Sequence, residues 1–167
     1  FTNLETYQSR FWLKEEFLKK IGKSSSGFLL ELFSRVDALV DQDLVYYDHQ
    51  MDMETCFEKY SFHEFKWHQT PNGDMEWIFM LNRQGYLVDL AVAFYVTKEE
   101  KYLKKWKEIV FDFIVENEEE ISHPEASWRV LDAGIRLMNW VKSLTYLPLS
   151  EFSEEEKKQI QEAMILH

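Results

Sequence analysis

The chain has little cysteine and little basic charge, and each shortage excludes a class of protein. Its 167 residues include one cysteine, Cys56, so an intrachain disulfide framework is excluded. There are 19 basic residues against 30 acidic ones, and the net charge of -11 argues against a nucleic-acid partner, because phosphate binding requires a basic field. No apolar run is long enough to span a bilayer, so we expect no membrane partner.

Several functional motifs are also missing. The sequence has no glycine-rich phosphate loop, no Gly-x-Ser-x-Gly elbow and no Cys-His signature, and we expect no cofactor. The start, Phe1 to Glu5, has neither the basic-then-apolar pattern of a signal peptide nor an initiator Met, so we expect that upstream residues were removed. Repeats of fixed length are not visible, which weakens a helical-repeat solenoid.

What the chain does contain is apolar and aromatic. Hydrophobic residues make up 46% of it and aromatic residues 16%, enough for one folded domain, residues 1–167, with a substantial core. Aromatic rings fill cores, and they also form flat platforms on which sugar rings stack. Core packing accounts for most of them.

The first 76 residues divide into a helical lead-in, 1–40, and an aromatic loop, 41–76. We predict helices over 4–21 and from Phe28 to Val40, joined by a linker at 23–27. The loop loses the helical period and contains the turn signal Pro71-Asn72-Gly73. Long ordered loops often carry function, but an aromatic-rich one can also simply cover a core, and both interpretations stay open.

The pattern of residues 77–167 predicts further helices. The first, Trp77 to Val96, is apolar almost all round, with Asn82, Tyr86 and Asp89 on one face. A capping box, Thr97-x-x-Glu100, predicts the start of a two-faced helix. Its predicted inward residues are Leu103, Trp106, Ile109, Val110 and Phe113, and its predicted outward residues are Lys101, Lys104, Lys105 and Glu108.

A third helix, from about Glu125 to Tyr146, combines a wide apolar surface with a thin polar stripe. The stripe consists of Arg129, Asp132, Arg136, Asn139 and Ser143. Pro148 follows this helix, and the capping box Ser153-x-x-Glu156 predicts a last helix that is still running at His167.

These patterns predict an all-α fold, since no segment shows the strict alternation of a strand. Nearly apolar helices alternate with two-faced ones, as the inner and outer helices of an (α/α) toroid do. A complete toroid has more helices than the pattern predicts, so we expect helical hairpins that form part of one. The exposed inner faces then predict contact with the remainder of a larger protein or self-association.

Two arginines are candidate binding residues. Arg83, beside Asn82, stands in a helix predicted to be buried, where a charge needs a partner or a water-filled cleft. It could bind a carboxylate or sulfate through two hydrogen bonds, or form an internal ion pair with Glu76 or Asp89. Arg136 and Asp132 form an i, i+4 pair that belongs either to a cleft or to a solvated helix face.

Aromatic and histidine residues at loop-to-helix junctions are the other candidates. Trp67, Trp77 and Trp128 each flank such a junction, and Trp128 is the best candidate for stacking on sugar because it begins the polar-striped helix. His68, next to Trp67, either faces substrate or is a hydrogen-bonded structural residue. The histidines at 49, 63 and 68, with Cys56, match no established zinc spacing, so we predict no metal site.

The order of several short motifs resembles the N-terminal helical domain of the heparinase II/III-type polysaccharide lyases, in particular the heparinase III-like members. The motifs are Asp52-Met53-Glu54, Tyr60-Ser61-Phe62, Trp67 to Trp77, Leu81-Asn82-Arg83, Thr97 to Tyr102, Ser127-Trp128-Arg129 and Gly134 to Trp140. The similarity begins near Asp48 and continues through the rest of the sequence.

This resemblance implies a toroid fold and one side of a cleft for an acidic polysaccharide such as heparan sulfate, heparin or alginate. Family members cleave uronic-acid glycans by β-elimination, and they favour a periplasmic or secreted location. The family's Asn-His motif does not occur here, so no catalytic residue is assigned and we expect the chain alone to be inactive. A non-catalytic glycan-binding domain and a helical protein-interaction domain stay open as alternatives. Arg83, Trp128, Arg136, Asn82, Trp67, His68 and Asn139 are the expected substrate-binding residues.

Overall fold

The computed structural model describes residues 26–45, 60–61, 67–117 and 125–167. Within these ranges the chain forms six α-helices, one short 3-10 helix and one two-stranded ribbon, which confirms the all-α prediction. The helices are α1 (Ser26–Gln42), α2 (Met75–Arg83), α3 (Tyr86–Thr97), α4 (Glu100–Glu116), α5 (Val130–Leu144) and α6 (Glu154–Leu166), and the 3-10 helix is Leu149–Glu151. The toroid arrangement stays a prediction, and the predicted helix at 4–21 lies outside the described residues.

A small antiparallel ribbon lies in the predicted aromatic loop. Strand β1 (Leu44–Val45) pairs with β2 (Tyr60–Ser61), with Leu44 opposite Ser61 and Val45 opposite Tyr60. This ribbon was not predicted from the sequence. Neither strand is long enough to show alternation, so sequence periodicity could not reveal the ribbon. Residues 46–59 and 62–66 of the predicted loop lie outside the described ranges.

Helix α3 lies at the centre of the core. It packs against α1, α4 and α5, while α2 packs against α5 and α6 against α4. Its apolar side chains are buried on nearly all sides, as the sequence predicts: Leu87, Leu90, Ala91 and Ala93 are inaccessible to solvent. A helix with apolar residues all round needs such neighbours on several faces.

The predicted single helix from Trp77 to Val96 is in fact two helices. Gln84 adopts a left-handed conformation, with φ of 53° and ψ of 37°, and it ends α2 before Gly85 begins the next helix. This conformation costs about 1 kcal/mol in a residue with a side chain. The Gln84 Oε1 atom accepts a hydrogen bond from Trp140 Nε1 at 2.6 Å, which helps to hold the break in place.

Because of this break, Asn82 lies on a different helix from Tyr86 and Asp89, and the three residues do not share the predicted polar face. The Asn82 amide donates to the carbonyl oxygens of Trp67 and Ile78, at 2.7 and 2.9 Å. Asp89 instead forms an ion pair with Arg35 of α1 at 2.9 Å.

The two predicted capping boxes have different outcomes. Ser153 and Glu156 form the box at the start of α6, as predicted. The box predicted from Thr97 is wrong, because Thr97 is the last residue of α3 and its hydroxyl donates to the Ala93 carbonyl at 2.8 Å. Glu99 is the N-cap residue of α4, and its side chain makes no capping hydrogen bond.

Helices α4 and α5 follow the predicted pattern with two exceptions. The five predicted inward residues of α4 are all buried. Lys105 was predicted to face out, but it is 5% exposed and forms ion pairs with Asp43 and Glu108. Helix α5 begins at Val130 rather than near Glu125, because residues 125–128 form a turn. Among the described residues, no helix combines the length and apolarity that crossing a membrane requires.

Candidate functional site

The C-terminal end of α2 meets the polar stripe of α5. A helix leaves its last carbonyl groups without helical partners, and α2 ends inside the protein. The carbonyls of residues 81, 82 and 83 accept hydrogen bonds from the Tyr86 hydroxyl (3.0 Å), the Arg136 guanidinium (3.0 Å) and the Asn139 amide (2.8 Å), respectively. Two residues of the stripe, Arg136 and Asn139, therefore satisfy a helix end from buried positions. The solvated-face interpretation of Arg136 and Asp132 is wrong, because both are inaccessible to solvent.

Arg136 links three parts of the chain. Besides the carbonyl of Asn82, its Nη1 atom donates to the Ser127 carbonyl at 2.8 Å, and its Nε atom donates to His167 Nε2 at 2.6 Å. The guanidinium carbon lies 4.3 Å from the centre of the Phe113 ring and 5.1 Å from that of Trp128. Burial lowers the pKa of Arg136 to about 9, and it remains a cation at neutral pH.

The contacts of His167 define its protonation state. Its Nε2 atom accepts a hydrogen bond from Arg136, so the proton of the neutral ring is on Nδ1, which lies 2.7 Å from the Ala163 carbonyl and donates to it. Burial, and then the Arg136 cation, lower the pKa of His167 to about 4. The ring is therefore neutral at pH 7, and it acts as an acceptor for Arg136.

Asp132 brings two further arginines together. Its Oδ1 atom accepts a hydrogen bond from Arg83 Nε at 2.7 Å and lies 3.4 Å from Arg129 Nη2. Its Oδ2 atom lies 2.7 Å from Arg129 Nε as an ion pair, without the N–H direction of a hydrogen bond. The carboxylate is fully buried, whereas the side chains of Arg83 and Arg129 are 17% and 32% exposed. Arg83 therefore has an internal partner, though neither of the two that the sequence suggested.

The remaining predicted site residues lie near this junction but are mostly buried. Trp67 is 4% exposed, and its Nε1 atom donates to Asp112 at 2.9 Å. Asn82 is fully buried, and Asn139 is 9% exposed. His68 is partly buried beside Trp67. These positions favour structural roles for Trp67, Asn82, Arg136 and Asn139, and they leave Arg83 and His68 nearer to solvent.

A cleft of about 190 Å³ lies beside Trp128. Phe113, Trp128 and His167 form its aromatic wall, and Asn117, Gln159 and Glu162 are its polar residues. Trp128 is 8% exposed, so it offers only part of its ring. Arg83 and Arg129 do not line this cleft. An aromatic wall suits the apolar face of a sugar ring, and Trp128 stays the best stacking candidate.

Within residues 26–45, 60–61, 67–117 and 125–167, no group of three or more His, Cys, Asp or Glu side chains is placed to hold a metal ion. Of the residues considered in the sequence, His49, His63 and Cys56 lie outside these ranges.

Sequence reasoning did not select Arg129 as a site residue. It precedes Asp132 by three positions at the start of α5, which is the spacing of a local ion pair. The motif Ser127-Trp128-Arg129 was visible, but the approach of Arg83 was not, since that residue is 49 positions away from Asp132 along the chain.

The fold and this junction define an all-α domain in which three arginines gather where two helices meet. The family model described as heparinase II/III N-terminus matches residues 24–160, and the chain belongs to this family. The match confirms the resemblance inferred from the motifs, and it supports a domain of a polysaccharide lyase. No curated protein and no solved structure matches the chain.

Proposed function

We propose that this domain forms part of the substrate cleft of a lyase that cleaves uronic-acid polysaccharides, of the heparan sulfate, heparin or alginate kind, by β-elimination. Membership of the heparinase II/III N-terminal family is the observation that carries the proposal. The partly exposed guanidinium groups of Arg83 and Arg129, both in contact with the Asp132 carboxylate, support it, since an acidic glycan requires local positive charge in a chain whose net charge is -11.

The reaction explains why such cations matter. A base removes the proton α to the uronate carboxylate, and a bare carboxylate makes that proton too weakly acidic. A donor that neutralises the carboxylate stabilises the developing negative charge. In this proposal the described residues bind and orient the glycan, and they supply none of the groups that transfer protons.

Among the predicted binding residues, Arg83 and Trp128 are the ones we place in contact with the glycan. Arg83 is partly exposed, and Trp128 lines the aromatic cleft. His68 is a further contact candidate because its side chain is partly accessible to solvent. Trp67, Asn82, Arg136 and Asn139 support these residues through the hydrogen bonds described above.

A helical protein-interaction domain is the second candidate, and one observation favours it. Helices α5 and α6 expose large apolar side chains, namely Val130, Leu131, Met138, Ile165 and Leu166. Exposed apolar groups of this size often mark contact surfaces. In the lyase proposal Met138, Ile165 and Leu166 are covered by the remainder of a larger protein or by a second copy.

Titration calorimetry with acidic and neutral oligosaccharides of equal length separates the two candidates. We expect the chain to bind uronate oligosaccharides and not the neutral ones. Arg83→Ala should weaken binding by about tenfold or more, because it removes a hydrogen bond between charged groups. Lys142→Ala, which removes an exposed charge from α5, is the matched control and should change little. Equal binding of acidic and neutral glycans would contradict a site for acidic glycans, and binding of neither would favour the interaction domain.

A further inference from the structure

The junction of α2 and α5 brings two partly exposed guanidinium groups together at one buried carboxylate. Two guanidinium groups, those of Arg83 and Arg129, contact the one carboxylate of Asp132. The carboxylate has no exposed surface, so solvent and ligands meet only the two cations.

Arg129 is held in a fixed orientation. Its guanidinium carbon lies 3.7 Å from the centre of the Phe79 ring, so the group stacks on that ring while it contacts Asp132. Its Nη1 atom has no protein partner within the described part of the chain. A guanidinium whose position is already fixed loses less side-chain entropy on binding, and its remaining N–H groups match the geometry of a carboxylate or sulfate.

The surroundings of Arg129 fit a sugar that carries the anion better than a free anion. The next two residues, Val130 and Leu131, are 88% and 58% exposed. Exposed apolar side chains beside a cation can pack against the C–H face of a sugar ring while the cation holds its acidic group.

We infer that Arg83 and Arg129 form one binding site for the carboxylate or sulfate group of an acidic sugar unit, with Asp132 as the positioning residue that orients both arginines. The inference rests on the proposed function, and it adds Arg129, Asp132 and the type of group that they recognise. If Arg83, Arg129 and Asp132 had only a structural role, they would need one another but no ligand. Binding experiments can therefore separate a structural role from a binding role.

Calorimetric titration tests the site with an unsulfated hyaluronan oligosaccharide and a heparan sulfate oligosaccharide. Arg129→Gln should weaken binding of at least one of them by about tenfold or more, and Arg129→Lys, which keeps the charge but loses the planar fork, should also weaken it. Lys104→Gln, the same charge change at an exposed position on α4, should leave the affinity within about twofold of the original. The two ligands show whether the site takes carboxylate, sulfate or both.

Asp132→Asn gives the sharpest outcome. It makes the junction more positive, so simple electrostatic attraction predicts tighter binding, whereas a positioning role predicts binding weakened by about tenfold or more. Tighter binding by this variant would overturn the positioning role. If the variant fails to fold in a melting experiment, the comparison of Arg129→Lys with Arg129→Gln decides instead, because equal affinity of Arg129→Lys and the original chain would contradict the inference.

The site and the proposed function fail in different ways. If the original chain binds uronate oligosaccharides and the Arg129 variants bind equally well, the site is wrong and the proposed function stands. If the original chain binds neither acidic glycan, both are contradicted.

Discussion

Replacing Arg136 with Met should cost about 3 kcal/mol of the free energy of unfolding. The change leaves the carbonyls of Asn82 and Ser127 and the Nε2 atom of His167 without their donor. Each buried acceptor without a partner costs about 1–3 kcal/mol, while removal of a buried cation returns part of its desolvation penalty. Arg136→Lys should be nearly as destabilising, because lysine keeps the charge but cannot reach all three acceptors.

Urea unfolding followed by far-ultraviolet circular dichroism measures this loss. Lys142→Met, at an exposed position of the same helix, is the matched control and should stay within about 0.5 kcal/mol of the original chain. An Arg136→Met protein that unfolds at the same urea concentration as the original would show that this residue does not hold α2, α6 and the turn at 125–128 together.

His167 should make the stability of the chain dependent on pH between about pH 6.5 and pH 4. Its pKa is lowered from the ordinary 6.5 to about 4 by burial and by Arg136. A lowered pKa means that the unfolded chain binds the proton more readily, so the contribution is complete above pH 6.5 and is lost as the pH falls toward 4. The shift corresponds to a contribution of up to about 3 kcal/mol.

The change His167→Gln isolates this effect. Glutamine can accept a hydrogen bond from Arg136 through its carbonyl oxygen but does not titrate. Between pH 7 and pH 4 the original chain should lose up to about 3 kcal/mol more stability than the variant, while the carboxyl groups, which are the same in both proteins, cancel in the difference. If the free energy of unfolding changes with pH in the same way in both proteins, His167 is not buried against a cation.

The helical periodicity of the sequence was sufficient to predict much of the fold. The apolar spacing predicted α1 and the buried side of α4, and the box at Ser153 predicted the start of α6. These signals are local, and each depends on residues within a few turns of helix. The break between α2 and α3 depends instead on Gln84, which is held by Trp140, 56 positions later in the chain. No local pattern could reveal it.

The candidate site could be predicted only in part, for the same reason. The polar stripe of α5 was recognised, but its buried role follows from the end of α2, which the sequence did not show. Arg83 was selected correctly as a residue that needs a partner, yet Asp132 becomes its partner only when the two helices pack. The resemblance to the heparinase II/III family was recognisable because its motifs keep their order along the chain.

The formation of unsaturated uronate, followed by ultraviolet absorbance, tests the proposed function most directly. It should be measured on the chain and on the longest natural protein that contains it, with heparan sulfate, heparin, hyaluronan, chondroitin sulfate and alginate side by side. We predict rising absorbance with at least one glycan for the longer protein and none for the chain alone. Flat traces with all five glycans, from a folded longer protein, would contradict the lyase proposal and favour a glycan-binding or protein-interaction role.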